Sequence, residues 1–374
     1  MNAPDPWHYP RPELAQRYLD MFALGLTAAR GLFAKRRFGK SQFLEKDLIP
    51  AAAAQGYRTA YVNLWDNREQ PAAALLEALT PALAPRGAAK WVKRLNTPQR
   101  KLKASAKLPG LAEGSLEAEL SDAAATTQTA TAALTQALRA FNQPKQRLLL
   151  VLDEAQVLAD AAHSNLTHAL RAALDSRKAN IKVVFAGSSE TTLRRMFGRP
   201  SEPFYNWAPL EPFELLGTDF VHALVKRTNA LSRFPLARQD ALAVFEALHR
   251  TPEFFRRFLD HYITNPDLGV AAALDETRGH VFNDRMHLSY WNGLLPADRE
   301  VLRLLAHGAP ELHGAAARAR LGLVLGLDKP VSANTPYNSL KRLQADGVVA
   351  KLDYATYRFE DDALAHWVRE RGDD

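Results

Sequence analysis

Two short stretches of this sequence carry side chains whose types and spacing suit the binding and cleavage of a phosphoanhydride. The first is Ala34-Lys35-Arg36-Arg37-Phe38-Gly39-Lys40-Ser41, which matches G-x-x-x-x-G-K-[ST] at every defined position but the first. In such a loop backbone N–H groups surround phosphate oxygens, and the following helix points its positive dipole end at them. Lys40 would reach the β- and γ-phosphates, Ser41 would place its hydroxyl on Mg²⁺, and Gly39 would let the backbone approach closely. Lys35, Arg36, Arg37, Phe38 and Gln42 complete the binding segment. Ala34 departs from the pattern. It costs about 1 kcal/mol or more if that position needs positive φ, and little if it lies extended at a strand end.

The second stretch, Leu148-Leu149-Leu150-Val151-Leu152-Asp153-Glu154, is an apolar strand that ends in two carboxylates. Asp153 at a buried strand end can hold Mg²⁺ through its water shell, and Glu154 can polarise an attacking water. Phosphoryl transfer needs both roles, because its catalysis is mostly positioning and charge neutralisation. The bland alternatives are a basic surface turn containing GKS and a solvated strand end. Finding both motifs in this order argues against each.

Such residues need a sheet to hold them. Strand patterns at 28–34, 57–64, 147–152 and 181–186, with a short extended piece near 204–210, alternate with helix patterns from Lys40 to Pro50 or the alanine run, at 71–84 and at 163–177. This is the rhythm of an α/β parallel sheet covered on both faces. Residues 213–280 show only helical patterns (217–231, 238–249, 252–263 and 266–278) and read as a small lid. Residues 294–374 give helices, a stop at Gly347, and two strand-like runs around Tyr354–Ala355, the outline of a winged helix. The domains are therefore expected at 1–212, 213–287 and 288–374.

Composition limits the rest. A chain of 374 residues with 47% hydrophobic and 24% charged residues is an ordinary globular chain of two or three domains. It has no cysteine, which excludes disulfides, thiol catalysis and Cys-ligated zinc. No apolar run approaches the ~18 residues that cross a bilayer, and the N-terminus lacks the apolar core of a signal peptide. A cytoplasmic protein without membrane contact is expected, and no internal repeat is visible. The net charge of +7 makes polyanions plausible partners. Eight basic residues (Arg86, Lys90, Lys93, Arg94, Arg100, Lys101, Lys103, Lys107) fall in 86–107 without one acidic residue, and 108–123 turns acidic. Residues 86–125 read as an insertion in the core. Its basic part, through Lys90, Lys93, Arg94 and Lys101, is a candidate contact to DNA or RNA, although charge runs are often simply solvated.

The stretches FALGLTAARGLFAKRRFGKSQFL, AYVNLW, LLLVLDEAQ and VVFAGSSE together resemble the AAA+-related ATPases of the STAND class. They look most like the archaeal-type and prokaryotic MNS ATPases with a winged helix after the lid. The resemblance implies a P-loop NTPase core of five parallel strands, with a sensor strand between the P-loop strand and the Asp153 strand. It implies ATP rather than GTP, hydrolysis to ADP and phosphate, and ATP-dependent homo-oligomerisation or switching on nucleic acid or a partner protein. By the same resemblance Ser188 (or Ser189) would touch the γ-phosphate or the attacking water. Arg199, with Arg194 and Arg195 behind it, would be an arginine finger, and Arg256 or Arg257 would lean onto the γ-phosphate from the lid. Trp7-His8-Tyr9-Pro10-Arg11-Pro12 could pass over the base or simply pack.

In the C-terminal outline a helix capped by Asn334 or Thr335 would pack Tyr337, Leu340 and Leu343 inward. Lys341 and Arg342 would face outward, where a DNA groove could be read. The module has eleven Lys/Arg against twelve Asp/Glu over 288–374, so a protein-docking role is equally open. The alternative to an ATPase is a non-catalytic regulator that binds nucleotide structurally and DNA through the winged helix.

Overall fold

The structure, a computed structural model, describes residues 5–84, 123–143, 146–281, 284–309, 311–353 and 356–371. The basic segment with Lys90, Lys93, Arg94 and Lys101 lies outside the described residues, as does the Tyr354–Ala355 turn. The chain forms two compact units, Met1–Tyr18 with Arg30–Leu48 and Ala186–Asp374, and Leu19–Ala29 with Ile49–Phe185. Among the described residues no helix is long and apolar enough to cross a membrane.

Five strands, β1 (Ala29–Phe33), β2 (Arg58–Asn63), β3 (Leu148–Asp153), β4 (Ile181–Gly187) and β5 (Leu210–Pro212), form one sheet in the order β2-β3-β4-β1-β5. The sensor strand β4 thus lies between the P-loop strand and the Asp153 strand, as the resemblance implied. In the second unit β2 pairs parallel to β3 from Arg58↔Leu148 to Asn63↔Asp153, and β3 pairs to β4 from Leu148↔Ile181 to Leu152↔Phe185. Both central strands are buried along their whole length, which is why they read as unbroken apolar runs instead of alternating ones. The flanking helices are α3 (Ile49–Ala54), α4 (Pro71–Leu83), α5 (Ala123–Leu138) and α6 (Ser164–Asp175). The Ala/Thr sequence of α5 has little hydrophobic periodicity, so no helical pattern marks it in the sequence.

In the first unit β1 pairs parallel to β5 from Gly31↔Leu210 to Phe33↔Pro212. A Cβ on Gly31 would lie 2.8 Å from Leu210 Cδ1 but 3.5 Å from the nearest backbone atom, the Pro209 carbonyl oxygen, so a larger residue there needs the Leu210 side chain to shift and leaves the strand spacing unchanged. The fifth strand is shorter and later than the expected 204–210. Residues 204–207 turn instead, with Asn206 left-handed and the Phe204 and Trp207 rings 5.4 Å apart in the core. The helix after the P-loop, α2 (Lys40–Phe43), does not stop at Pro50. A wider π-type turn over Leu44–Leu48 precedes α3, which runs through the proline to Ala54. Widening the ladder is one way to accommodate a missing proline N–H.

One helix, α7 (Glu190–Gly198), lies between β4 and β5 in the chain, and four more follow β5. These four are α8 (Thr218–Leu231), α9 (Arg238–Ala247), α10 (Pro252–Thr264) and α11 (Gly269–Val281). Phe220, Phe245, Phe255 and Phe258 form their core, with successive ring centroids 5.4 to 6.1 Å apart. Beyond them come α12 (Asp284–Gly293), α13 (Pro296–Ala306), α14 (Ala315–Val324), α15 (Asn334–Ala345), the antiparallel pair β6 (Val349–Asp353) and β7 (Thr356–Phe359), and α16 (Asp362–Arg371).

Three details of α15 differ from the sequence reading. Neither Asn334 nor Thr335 caps it, because Ala333 holds that position. Its buried stripe is Pro336, Ser339, Leu340 and Leu343, and Tyr337 is 56% exposed. Lys341 is exposed, but Arg342 is not a spare cation. It donates from Nε and Nη2 to Asp298 at 3.0 and 2.6 Å, and Asp298 on α13 is only 3% exposed. A helical pattern identifies an outward stripe but not the buried acid a neighbouring helix presents to it. Arg342→Ala should therefore destabilise the C-terminal elements by about 1–3 kcal/mol, discounted because Arg342 is itself half in solvent. Thermal unfolding checks this, and an unchanged melting temperature would return Arg342 to the list of free surface cations.

Candidate functional site

The phosphate loop runs from the end of β1 into α2, entirely within the first unit. Ala34 is buried, its N–H donates to the Gly187 carbonyl at 3.3 Å, and it is not among the residues with positive φ. The left-handed residues are Arg37 (φ 71°) and Gly39 (φ 82°). Alanine at the first position is thus nearly free of strain, and the unusual backbone falls on Arg37 instead. Alternation of left- and right-handed residues turns successive N–H groups toward one point and forms an anion-binding concavity. Lys40, the first residue of α2, is 5% exposed. Ser41 is half-buried and Gln42 exposed. Of the loop's side chains, Phe38 is buried, while Lys35 and Arg36 are at least partly exposed.

The N-terminal segment closes one side of this loop. Trp7, His8, Phe38, Gly39 and Leu216 line a cavity with aromatic walls, to which Arg11 and Arg256 add two cations and Asp47 a carboxylate. His8 donates from Nε2 to Asp47 Oδ1 at 2.9 Å, and Lys46 Nζ donates to Asp5 Oδ2 at 2.8 Å. Both acceptor and donor thus come from the π-type turn that follows α2. Arg11 donates to the Glu214 carbonyl at 2.7 Å and its side chain at 3.1 Å, and lies 4.9 Å from the Phe213 ring centre. Burial alone would raise the Asp5 carboxyl. Hydrogen bonds from Lys46 and the Trp7 N–H, with the charge of Arg256, outweigh it and bring the carboxyl down to about 2.

Arg256 and Arg257 separate clearly. Arg256 lines the cavity and lies 3.4 Å from Asp5. Arg257 is exposed and pairs with Glu253 one turn back on its own helix. The two serines after β4 also separate. Ser188 is buried at the strand end, whereas Ser189 caps α7, accepting from the Thr192 N–H at 3.4 Å. Of the three arginines, Arg194 is tied to Glu190 at 2.6 Å and lies over Phe33, and Arg195 pairs with Glu202 at 3.8 Å. Arg199 ends α7 in an exposed position.

The second unit holds the carboxylates. Asp153 has no exposed surface. Its Oδ2 accepts from the Tyr61 hydroxyl at 3.0 Å and its Oδ1 from the Glu154 N–H at 3.0 Å. Glu154 is left-handed (φ 52°), half-buried, and accepts from the Gln156 side chain. Tyr61 and Gln156 were missed by the sequence reading. A tyrosine inside β2 looks like any sheet aromatic until Asn63↔Asp153 fixes the register. Among the described residues no group of three or more His, Asp or Glu gathers as a metal cage. The donor set suits Mg²⁺, which keeps several waters and takes one or two carboxylates besides substrate phosphates.

With a P-loop after β1, a carboxylate pair after β3 and the strand order β2-β3-β4-β1-β5, the chain has the fold of the AAA+ P-loop ATPases. It is similar over its whole length to a Walker-type ATPase of Pyrococcus abyssi, with a TM-score of 0.63, 19% identity and coverage of 98% of this chain and 100% of that one. It is also similar to the ORC2 protein of Aeropyrum pernix in its ADPNP–ADP complexes, with a TM-score of 0.58, 16% identity and coverage of 96% and 91%. No protein-family model matches the sequence, and no curated protein matches it.

The depressed Asp5 carboxyl gives a pH signature. Its folded value of about 2 lies below the ordinary 3.8, so its stabilisation is complete above the ordinary value and is lost as pH falls toward 2. Asp5→Asn should cost about 2 kcal/mol at most at pH 7 and progressively less below pH 4. Thermal melts of both proteins from pH 7 to pH 3 measure this, and a gap independent of pH would exclude the charge as its cause.

Proposed function

We propose that this chain binds ATP with Mg²⁺, hydrolyses it to ADP and phosphate, and serves as a conformational or assembly switch acting on nucleic acid or a partner protein. The observation that carries the reading is the loop after β1, where left-handed Arg37 and Gly39 precede a buried Lys40 at a helix start. In this reading Lys40 neutralises the β- and γ-phosphates, and Ser41 and Asp153 hold Mg²⁺. Glu154 orients the attacking water, and Ser188 meets the γ-phosphate. The cavity beside Trp7, Phe38 and Gly39 takes the adenine, and Arg256 approaches the phosphates from the lid. Mg²⁺ would supply charge neutralisation between the phosphates. Arg199, exposed at the end of α7, acts in this proposal on the nucleotide of a neighbouring copy. The ADPNP and ADP carried by the ORC2 protein support the nucleotide assignment.

Lys40→Ala should weaken binding of a labelled ATP analogue by about tenfold or more. Glu154→Gln should bind ATP but release phosphate about 10²–10⁴ times more slowly, since the amide cannot orient water as a base does. Wild-type binding without turnover would instead favour the non-catalytic regulator. Specific activity independent of protein concentration would remove Arg199 from a role in trans.

The nucleic-acid partner is proposed for the 86–107 segment before α15, because eight cations lie there without a carboxylate and Arg342 is committed to Asp298. If roughly four cations meet phosphates, log K against log salt should slope near −3 to −4 on duplex DNA. Neutralising Lys90, Lys93, Arg94 and Lys101 together should flatten that slope in fluorescence anisotropy. An absent signal at low salt would point to a protein partner.

A further inference from the structure

The C-terminal hairpin ends against the phosphate loop and the strand end beside it, all within the first unit. The Ser189 hydroxyl donates to Glu360 Oε1 at 3.3 Å, and the Thr191 hydroxyl donates to the Lys351 carbonyl at 2.7 Å. Arg358 Nη2 lies 2.9 Å from the buried Glu190 carboxylate. Asp361 Oδ2 lies 3.6 Å from Arg37 Nη1, and Glu253 from the lid lies 3.6 Å from Arg37 Nε. Arg37 also covers the Phe254 ring, 5.1 Å from its centre. Lys35, Arg36, Arg37, Glu360 and Asp361 line one small cavity. Burial pushes the Glu360 carboxyl up, against the opposing pull of Arg358, the Ser189 hydroxyl and Arg36.

Two kinds of contact are mixed in this arrangement. Thr191–Lys351 and Arg358–Glu190 attach the hairpin to α7 whatever the loop binds. Glu360 and Asp361 instead direct negative charge at the loop's own cations and at the serine next to Ser188. A triphosphate entering that loop would bring several negative charges to the same place. It would compete for Arg36 and Arg37 and repel both carboxylates.

Building on the nucleotide reading above, we propose that Glu360 and Asp361 form an acidic latch that opposes triphosphate binding, so that nucleotide occupancy and docking of the C-terminal hairpin disfavour each other. Coupling of this kind is reciprocal: what the latch takes from nucleotide affinity, the nucleotide takes from hairpin docking.

The test uses the full chain and a fluorescent ATP analogue with Mg²⁺. The double variant Glu360→Gln, Asp361→Asn should bind about fivefold or more tightly than wild type, within the usual range of allosteric couplings. Glu370→Gln, which removes an exposed carboxylate on α16, should leave affinity unchanged. In wild-type protein the analogue should increase amide hydrogen exchange over residues 356–361, a measurement that needs no variant to fold. The latch is overturned if wild type binds and the double variant binds no more tightly, if Glu370→Gln tightens binding equally, or if exchange over 356–361 does not rise. If wild type fails to bind the analogue, just as Lys40→Ala does, the nucleotide reading itself falls and takes the latch with it.

Discussion

A phosphate loop works through its backbone, and this one constraint organises much of the first unit. Once N–H groups are committed to an anion, the loop's side chains are available for other contacts. Phe38 becomes a wall of the cavity closed by Trp7 and His8. Arg37, forced into the left-handed region, sends its guanidinium to Phe254 and Glu253 of the lid and to Asp361 beyond the C-terminal hairpin. The N-terminal segment, the lid and the C-terminal elements therefore each meet the loop or the helix that follows it.

Buried charge is the second constraint, and each buried carboxylate meets it differently. Asp298 takes a two-pronged bond from Arg342, and Glu300 is held by Arg303 and Arg320. Glu190 is shared between Arg194 on its own helix and Arg358 from the hairpin. These pairs fix the orientation of elements, because removing one partner would leave a charge buried and uncompensated. Asp153, with no exposed surface, accepts from the Tyr61 hydroxyl and from the Glu154 N–H.

Much of the core was legible in the sequence because its signals are local. A strand buried on both faces has to be a continuous apolar run, and β3 and β4 are. A glycine and a lysine at the turn into a helix have few alternative uses in that spacing. The N-terminal segment had an open reading, passing over the base or packing, and the structure seats it beside Phe38 and Gly39. Errors arose where the signal was not local. Tyr337 matches a helical stripe on spacing, but Pro336 and Ser339 fill the interior instead. The last strand came late because Phe204 and Trp207 pack as a turn, which no alternation pattern reveals.

The sequence by itself determined the α/β order, the loop that leads from β1 into a helix at Lys40, and the carboxylate pair at the end of β3. These follow from period, turn chemistry and residue type, all of which act over a few neighbours. Only the tertiary structure decided which of two similar residues takes each position. Arg256 reaches the cavity and Arg257 turns to Glu253, Ser188 is buried at the strand end and Ser189 caps a helix, and Arg342 answers Asp298. Adjacent residues share composition and propensity. What separates them is the roughly 100° turn between successive helical side chains, or the alternation of faces at a strand end, set against partners far away in the chain.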